Sequence, residues 1–186
     1  MIIPVFIPHA GCRNMCIFCN QHAITNSSEP DLSFENIAQT ITTYLSCPSK
    51  KKGRVEVAFY GGSFLGLSPE KIEELFKFMA GYIDSGQIHG IRFSTRPDDI
   101  DSKRLDIIKS RLVSTVEIGV QSMNDRVLTL SARGHTAQDV KNAASFLKEC
   151  RVQTGMQMMV GLPGDDEATV METALKIVEM SPDFIR

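Results

Sequence analysis

No apolar run in this 186-residue chain approaches the roughly 20 residues needed to cross a bilayer, so no membrane-spanning helix is expected. Nor does charge of one sign prevail: 20 Lys and Arg face 22 Asp and Glu, a formal net charge of −2. No global field therefore draws the chain to nucleic acid or to a membrane surface. The opening Met1-Ile2-Ile3-Pro4-Val5-Phe6-Ile7 lacks the basic start of an export signal and reads as a first strand. Without such a signal the expected location is cytoplasmic. Low-complexity stretches, linkers and shifts of composition are missing too, so one domain covering residues 1–186 is expected. With 42% hydrophobic and 23% charged residues the chain is too apolar for disorder and long enough for a sizeable core. Cysteine is sparse, five in all. In a cytoplasmic protein that number points to metal binding or buried thiols before disulfides.

What is present is alternation. Strand-length apolar runs occupy residues 3–8, 55–60, 91–95, 115–120 and 155–160, and a sixth begins near 183–185. The runs are near-continuous, as in parallel strands covered on both faces. Between them lie amphipathic helices. One spans 33–45, capped by Ser33, with Phe34, Ile37, Ala38, Ile41 and Leu45 on one face. Ser68-Pro69 opens the next, striped by Ile72, Leu75, Phe76 and Met79. Asp101 opens a third carrying Leu105 and Ile108, and a shorter one follows Gln121. Thr136 to Asp139 forms a capping box before Val140, Ala143, Ala144 and Leu147; the last helix runs over 167–180 and stops at Ser181-Pro182. Strand then helix, repeated, predicts a right-handed parallel α/β winding. The sixth strand starts without finishing, so the natural chain is expected to continue past Arg186.

The strongest chemical signal is Cys12-Arg13-Asn14-Met15-Cys16-Ile17-Phe18-Cys19, directly after the first strand. Three thiolates on one loop can converge on one metal centre. They satisfy three irons of a four-iron, four-sulfur (4Fe–4S) cubane and leave the fourth open to a ligand. A second reading is a closed Cys₃His zinc site with His22 as fourth ligand, giving a non-catalytic zinc-binding or iron–sulfur interaction module. A third is three unliganded thiols. Cys47 and Cys150 stand apart as core or surface thiols. The cluster Lys50, Lys51, Lys52 and Arg54 reads first as a solvated loop and second as an RNA contact.

The spacing Cys-x₃-Cys-x-aromatic-Cys resembles the signature of the radical S-adenosyl-L-methionine (radical SAM) superfamily. Further strings follow in the order that family has: Phe59-Tyr60-Gly61-Gly62-Ser63-Phe64, Ser94-Thr95-Arg96-Pro97-Asp98, Val116-Glu117-Ile118-Gly119-Val120-Gln121-Ser122, Arg133-Gly134-His135-Thr136 and Gly161-Leu162-Pro163-Gly164. Together they resemble the Elp3-like / oxygen-independent coproporphyrinogen dehydrogenase-like branch. The resemblance implies an α/β fold, a partial TIM-type (βα)₆ barrel open on one side and cut short at the sixth strand. It implies a 4Fe–4S cluster on Cys12, Cys16 and Cys19, with S-adenosyl-L-methionine on the open iron. Phe18 would lie near the adenine, while Gly61, Gly62 and Ser63 would meet the cofactor through the backbone. Ser94, Gln121 and Arg133 would supply polar contacts. The commonest version of the glycine motif continues with Glu-Pro; Ser63-Phe64 departs from it. Gln157 stands where some relatives carry an acid, so it offers a polar contact without charge. Met158 and Met159 are expected in the core or against the adenine, and His9 and His135 in structural roles.

The implied activity is reductive cleavage of the cofactor to a 5′-deoxyadenosyl radical, fed by an external one-electron reductant of flavodoxin or ferredoxin type. The substrate is open: relatives in this branch act on tRNA wobble uridine or on a tetrapyrrole. The Elp3-like strings and the Lys50–Arg54 cluster lean towards tRNA.

Overall fold

The computed structural model describes residues 1–20, 32–47 and 53–186. Among them six strands form one sheet: β1 (Ile2–Phe6), β2 (Glu56–Tyr60), β3 (Gly90–Thr95), β4 (Val113–Gln121), β5 (Gln153–Met158) and β6 (Phe184–Ile185). Helices α1 (Phe34–Leu45), α2 (Pro69–Asp84), α3 (Leu105–Ile108), α4 (Asp125–Leu130), α5 (Ala137–Cys150) and α6 (Glu167–Glu179) lie between them. Strand order follows chain order, and every pair is parallel. A doubly wound sheet reverses its order at a switch point. This one never does, and β1 and β6 each keep a single neighbour. The result is the winding of a TIM-type barrel left open as an arc of five βα units and a sixth strand.

Local chemistry explains most boundaries. Ser68 Oγ accepts from the Lys71 amide at 3.2 Å, and Pro69 sits at the first helical position, where its missing N–H costs nothing. Thr136 and Asp139 close the expected reciprocal box: the Thr136 amide donates to Asp139 Oδ2 at 2.7 Å, and the Asp139 amide to Thr136 Oγ1 at 3.3 Å. Asp166 and Thr169 build a second box at the start of α6. The Asp101 helix is shorter than its pattern implied. Asp101 Oδ1 caps a 3₁₀ turn (Ser102–Arg104), and only Leu105–Ile108 is α-helical. With two apolar positions to bury, this segment turns back at Ser110 and enters β4.

The strands differ from expectation in a way that matters for function. One face is mostly apolar: Ile3, Val57, Phe59, Ile91, Phe93, Val116, Ile118 and Met156 are essentially sealed beneath the helices. Phe64 stacks on Phe93 at 4.6 Å between ring centres and tilts against Phe59 at 5.1 Å. Each such buried ring contributes about 1.5–3 kcal/mol. The opposite face, turned into the arc, is polar, because β3 and β4 alternate Arg92 and Ser94, Glu117 and Gly119, with apolar residues. Arg92 Nη2 lies 2.8 Å from Glu117 Oε1, and its Nη1 lies 3.3 Å from Glu56 Oε2. The Tyr60 hydroxyl donates to the same Glu117 oxygen at 2.6 Å. Burial first, and then this hydrogen bond, push the Tyr60 phenol above its ordinary pKa.

Candidate functional site

Loops leaving the carboxyl ends of the strands surround a cavity of about 440 Å³. Cys12, Cys16, Cys19, Phe18, Gly61, Gly62, Ser94, Gln121, Arg133 and Gln157 all line it. Ser63 does not. A larger cavity, about 730 Å³, opens at the amino ends of the strands among Arg54, Glu56, Gln153 and Asp183. It holds none of the cysteines, and parallel barrels place their chemistry at the carboxyl ends.

The cysteine loop is seated by close backbone approach. Gly11, at φ +72°, would bring a Cβ to 2.1 Å from the Ser63 carbonyl, so only glycine fits. The Cys12 amide donates to His9 O at 3.0 Å, and the Ser63 amide to Ala10 O at 2.8 Å. From the other side the segment between α4 and α5 closes in. Asn14 Nδ2 donates to Arg133 O at 3.2 Å, and the Ile17 amide to Ser131 O at 3.2 Å. Arg133 places Nη1 at 3.2 Å from Cys16 Sγ and Nη2 at 2.6 Å from Gly119 O, with its guanidinium 6.0 Å over the Phe18 ring. Cys12 faces the open mouth of the cavity, yet enough protein surrounds the sulfur for burial to push its thiol up, with Cys19 the next cause.

Gln121 ends β4 at a register irregularity and adopts φ +67°. A non-glycine residue there carries local strain, as functional sites often do. Its Oε1 and Arg133 Nε are sealed from solvent and have no partner among the described residues. Buried polar atoms are nearly always paired. On a cavity wall, an orphaned acceptor and an orphaned donor are sockets for a polar ligand. His135 is buried behind them, its Nε2 3.3 Å from Val120 O, and its pKa is lowered to about 4 by burial, Arg133 and Arg96. That fits the structural role expected of it. Met159 lines the cavity and Met158 packs on the core.

With this geometry in place, comparison with known proteins is decisive. A model of the Radical SAM superfamily matches residues 6–177. The chain belongs to the radical SAM superfamily. An uncharacterized protein of Methanocaldococcus jannaschii is 31% identical over 131 residues, 67% of this chain and 40% of that protein. The oxygen-independent coproporphyrinogen III oxidase of Paracoccus denitrificans is 24% identical over 94% of this chain and 39% of its own length. A tRNA uridine(34) acetyltransferase of M. jannaschii is 32% identical over 48% of this chain and 16% of its own. Among solved structures, the Elp3 of Methanocaldococcus infernus superposes with a TM-score of 0.71 at 20% identity, over 99% of this chain and 44% of that one. The chain thus spans about two fifths of the length of the first two relatives. Elp3-like and coproporphyrinogen-oxidase proteins are thus among the proteins this radical SAM chain resembles.

The family implies a 4Fe–4S cluster and S-adenosyl-L-methionine, and the residues fit both. Among the described residues, no three His, Cys, Asp or Glu side chains are gathered as ligands of a single metal ion. Cys12, Cys16 and Cys19 share one cavity wall, and a cubane would take each thiol on a different iron. The orphaned Gln121 and Arg133 atoms suit a small polar cofactor beside it. His22, the fourth ligand of the zinc reading, and Lys50, Lys51 and Lys52 lie outside the described residues. Among the described residues no helix is long and apolar enough to cross a membrane.

Sequence reasoning missed Asn14, Gly119, Tyr60 and Arg96 as parts of this site. Gly119 carried a readable signal, since a lone glycine inside a strand marks close approach by another group. A Cβ there would stand 3.2 Å from both Arg133 Nη2 and Gln121 Nε2. Nothing local announced the other three.

Proposed function

We propose that this chain is the catalytic core of an enzyme that reductively cleaves S-adenosyl-L-methionine to a 5′-deoxyadenosyl radical. Cys12, Cys16 and Cys19 hold a 4Fe–4S cluster, which supplies the one-electron chemistry when bound. The observation that carries this reading is the meeting, in one cavity, of three thiols with two buried polar atoms that lack partners. Gln121 Oε1 accepts from the cofactor's hydroxyl or amine groups, and Arg133 Nε donates to its carboxylate. Phe18 offers an apolar wall for the adenine; Gly61 and Gly62 offer bare backbone; Ser94 and Gln157 offer neutral polar contacts. Ser63 lies off the cavity, with its hydroxyl and both backbone groups engaged behind the wall, and makes no contact with the cofactor in this reading. Tyr60, Arg92 and Glu117 fill the arc below the cavity and would limit the entry of water from that side. A flavodoxin- or ferredoxin-like protein delivers the electron. The substrate we favour is a tRNA nucleoside, supported by the likeness to a tRNA uridine(34) acetyltransferase.

Anaerobic reconstitution tests the core of this reading. It should yield about four irons and four sulfides per chain, and 5′-deoxyadenosine once reductant and cofactor are added. Cys16→Ala should lose both. A wild-type protein that takes one zinc per chain instead, or a Cys16→Ala protein that still makes 5′-deoxyadenosine, refutes it. Incubation with tRNA lacking its modifications should raise 5′-deoxyadenosine production; no response to any tRNA removes the RNA assignment.

A further inference from the structure

Between Cys12 and Asn14 stands Arg13, a residue the proposed chemistry leaves unused. Its guanidinium reaches away from the cavity to the turn after β3. Nη2 donates to the Asp98 carbonyl at 3.0 Å and lies 3.5 Å from Asp98 Oδ2, and it pairs closely with Asp99 Oδ1. The Asp99 side chain is only 4% exposed, whereas that of Arg13 is 60% exposed. The second Asp99 oxygen accepts from the hydroxyl of Ser63, in the turn after β2. Ser63 in turn accepts from the Arg96 amide at 3.0 Å and stands 3.1 Å from Thr95 Oγ1.

This chain of contacts ties together the loops that follow β1, β2 and β3. Its charges have one arrangement. Arg96 is bound bidentately to Asp98, both contacts at 3.0 Å. Among the described residues, Arg13 is therefore the cation left to balance Asp99. An uncompensated buried carboxylate is costly, so Asp99 holds Arg13, and with it the cysteine loop, in place. Asp99 accordingly raises the pKa of Arg13. The hydroxyl at position 63 suits the arrangement, because it donates to Asp99 where a carboxylate would repel it. Gly66 makes the seat possible: a Cβ there would stand 2.1 Å from Gly11 O and 3.0 Å from Asp99 Oδ2.

We propose that Arg13, Asp99 and Ser63 form a positioning network that docks the cysteine loop in its ligand-ready shape before a cluster is inserted. These residues touch neither the cluster nor its cofactor; they act through the loop. The proposal rests on the cluster reading only for what the loop receives. The docked shape itself is a property of the protein without metal.

The informative variants are Arg13→Gln, which removes the charge from an exposed side chain, and Arg13→Lys, which keeps it. In metal-free protein, hydrogen exchange is followed at the Cys12, Ile17 and Ser63 amides, each bonded within or onto the loop. Arg13→Gln should speed exchange at these amides about tenfold, equivalent to about 1.4 kcal/mol in the local opening equilibrium. Amides in β3 and β4 that exchange through their own local openings should stay as in wild type, and the melting temperature should fall by only a few degrees. Arg13→Lys should restore most of the protection. On reconstitution with limiting iron, Arg13→Gln should load less than half the wild-type iron. Equal loop exchange in Arg13→Gln and wild type overturns the proposal, as does an increase at locally exchanging β3 and β4 amides as large as that in the loop. If Asp99→Asn fails to fold, the Arg13 pair still decides. Should wild type load no iron while Arg13→Gln still loosens the loop, the network stands and the cluster reading falls.

Discussion

Arg133 gives one guanidinium nitrogen to Cys16 Sγ and another to Gly119 O, and its buried Nε has no partner among the described residues. Hydrogen bonds to cluster sulfurs raise reduction potential. Arg133→Gln should therefore lower the potential of the reconstituted cluster, read by redox titration with electron paramagnetic resonance, and should weaken S-adenosyl-L-methionine binding in parallel. An unchanged potential would mean that the contact to Cys16 does not persist in the loaded protein. His135 supports a pH prediction. Its folded pKa, about 4, lies below the ordinary 6.5 because burial disfavours the imidazolium. Above pH 6.5 both folded and unfolded chains hold it neutral, and nothing is lost. As pH falls from 6.5 towards 4, only the unfolded chain takes up the proton, so stability declines, by about 3 kcal/mol at most. Urea unfolding at several pH values should show this slope in wild type and a shallower one in His135→Gln, with carboxylate titration common to both.

At the scale of elements, caps and bends decide where function can sit. The Thr136–Asp139 box starts α5 directly after Arg133 and His135, so it anchors the polar segment that meets the cysteine loop. Thr136→Ala should cost about 1 kcal/mol in chemical denaturation. It should also loosen Cys16 more than Cys12, as measured by alkylation of the metal-free protein. Thr136→Ser should behave as wild type. The end of β4 is an element-level device as well: its register irregularity at Gly119 and Gln121 turns a strand-end glutamine into the cavity. Elsewhere elements followed their sequence signals closely where the apolar stripe was long. The exception, α3, offers only Ile108, with Ile107 packed beside it, to the core and closes after a single turn. Helix formation is cooperative, and a stripe that short does not sustain it.

Across the whole molecule, the arc is held by two different materials: an apolar layer under the helices and a charged layer inside. Glu56, Arg92 and Glu117 come from three neighbouring strands and are at most 8% exposed. Arg92→Met leaves Glu117 with Arg186 and Glu56 with Arg54, each at 3.1 Å, and should destabilise the fold by about 1.5–3 kcal/mol in urea unfolding. Adding Glu117→Leu should recover part of that loss, because it removes the more deeply buried of the two carboxylates. The strand and helix alternation, the helix caps and the spacing of Cys12, Cys16 and Cys19 were all legible from the chain, because periodicity, capping and loop spacing are local. The inner polar layer was not. Its residues looked like interruptions in apolar runs, and which charge faces which depends on strand register. The same holds for Arg13 with Asp99, 86 residues apart, and for Arg133 with Cys16, 117 apart. The sequence alone therefore determined the kind of fold and the cysteine motif. Tertiary structure decided which side chains hold that motif in place, because a contact between distant residues is set by register and close packing, neither of which a linear pattern encodes.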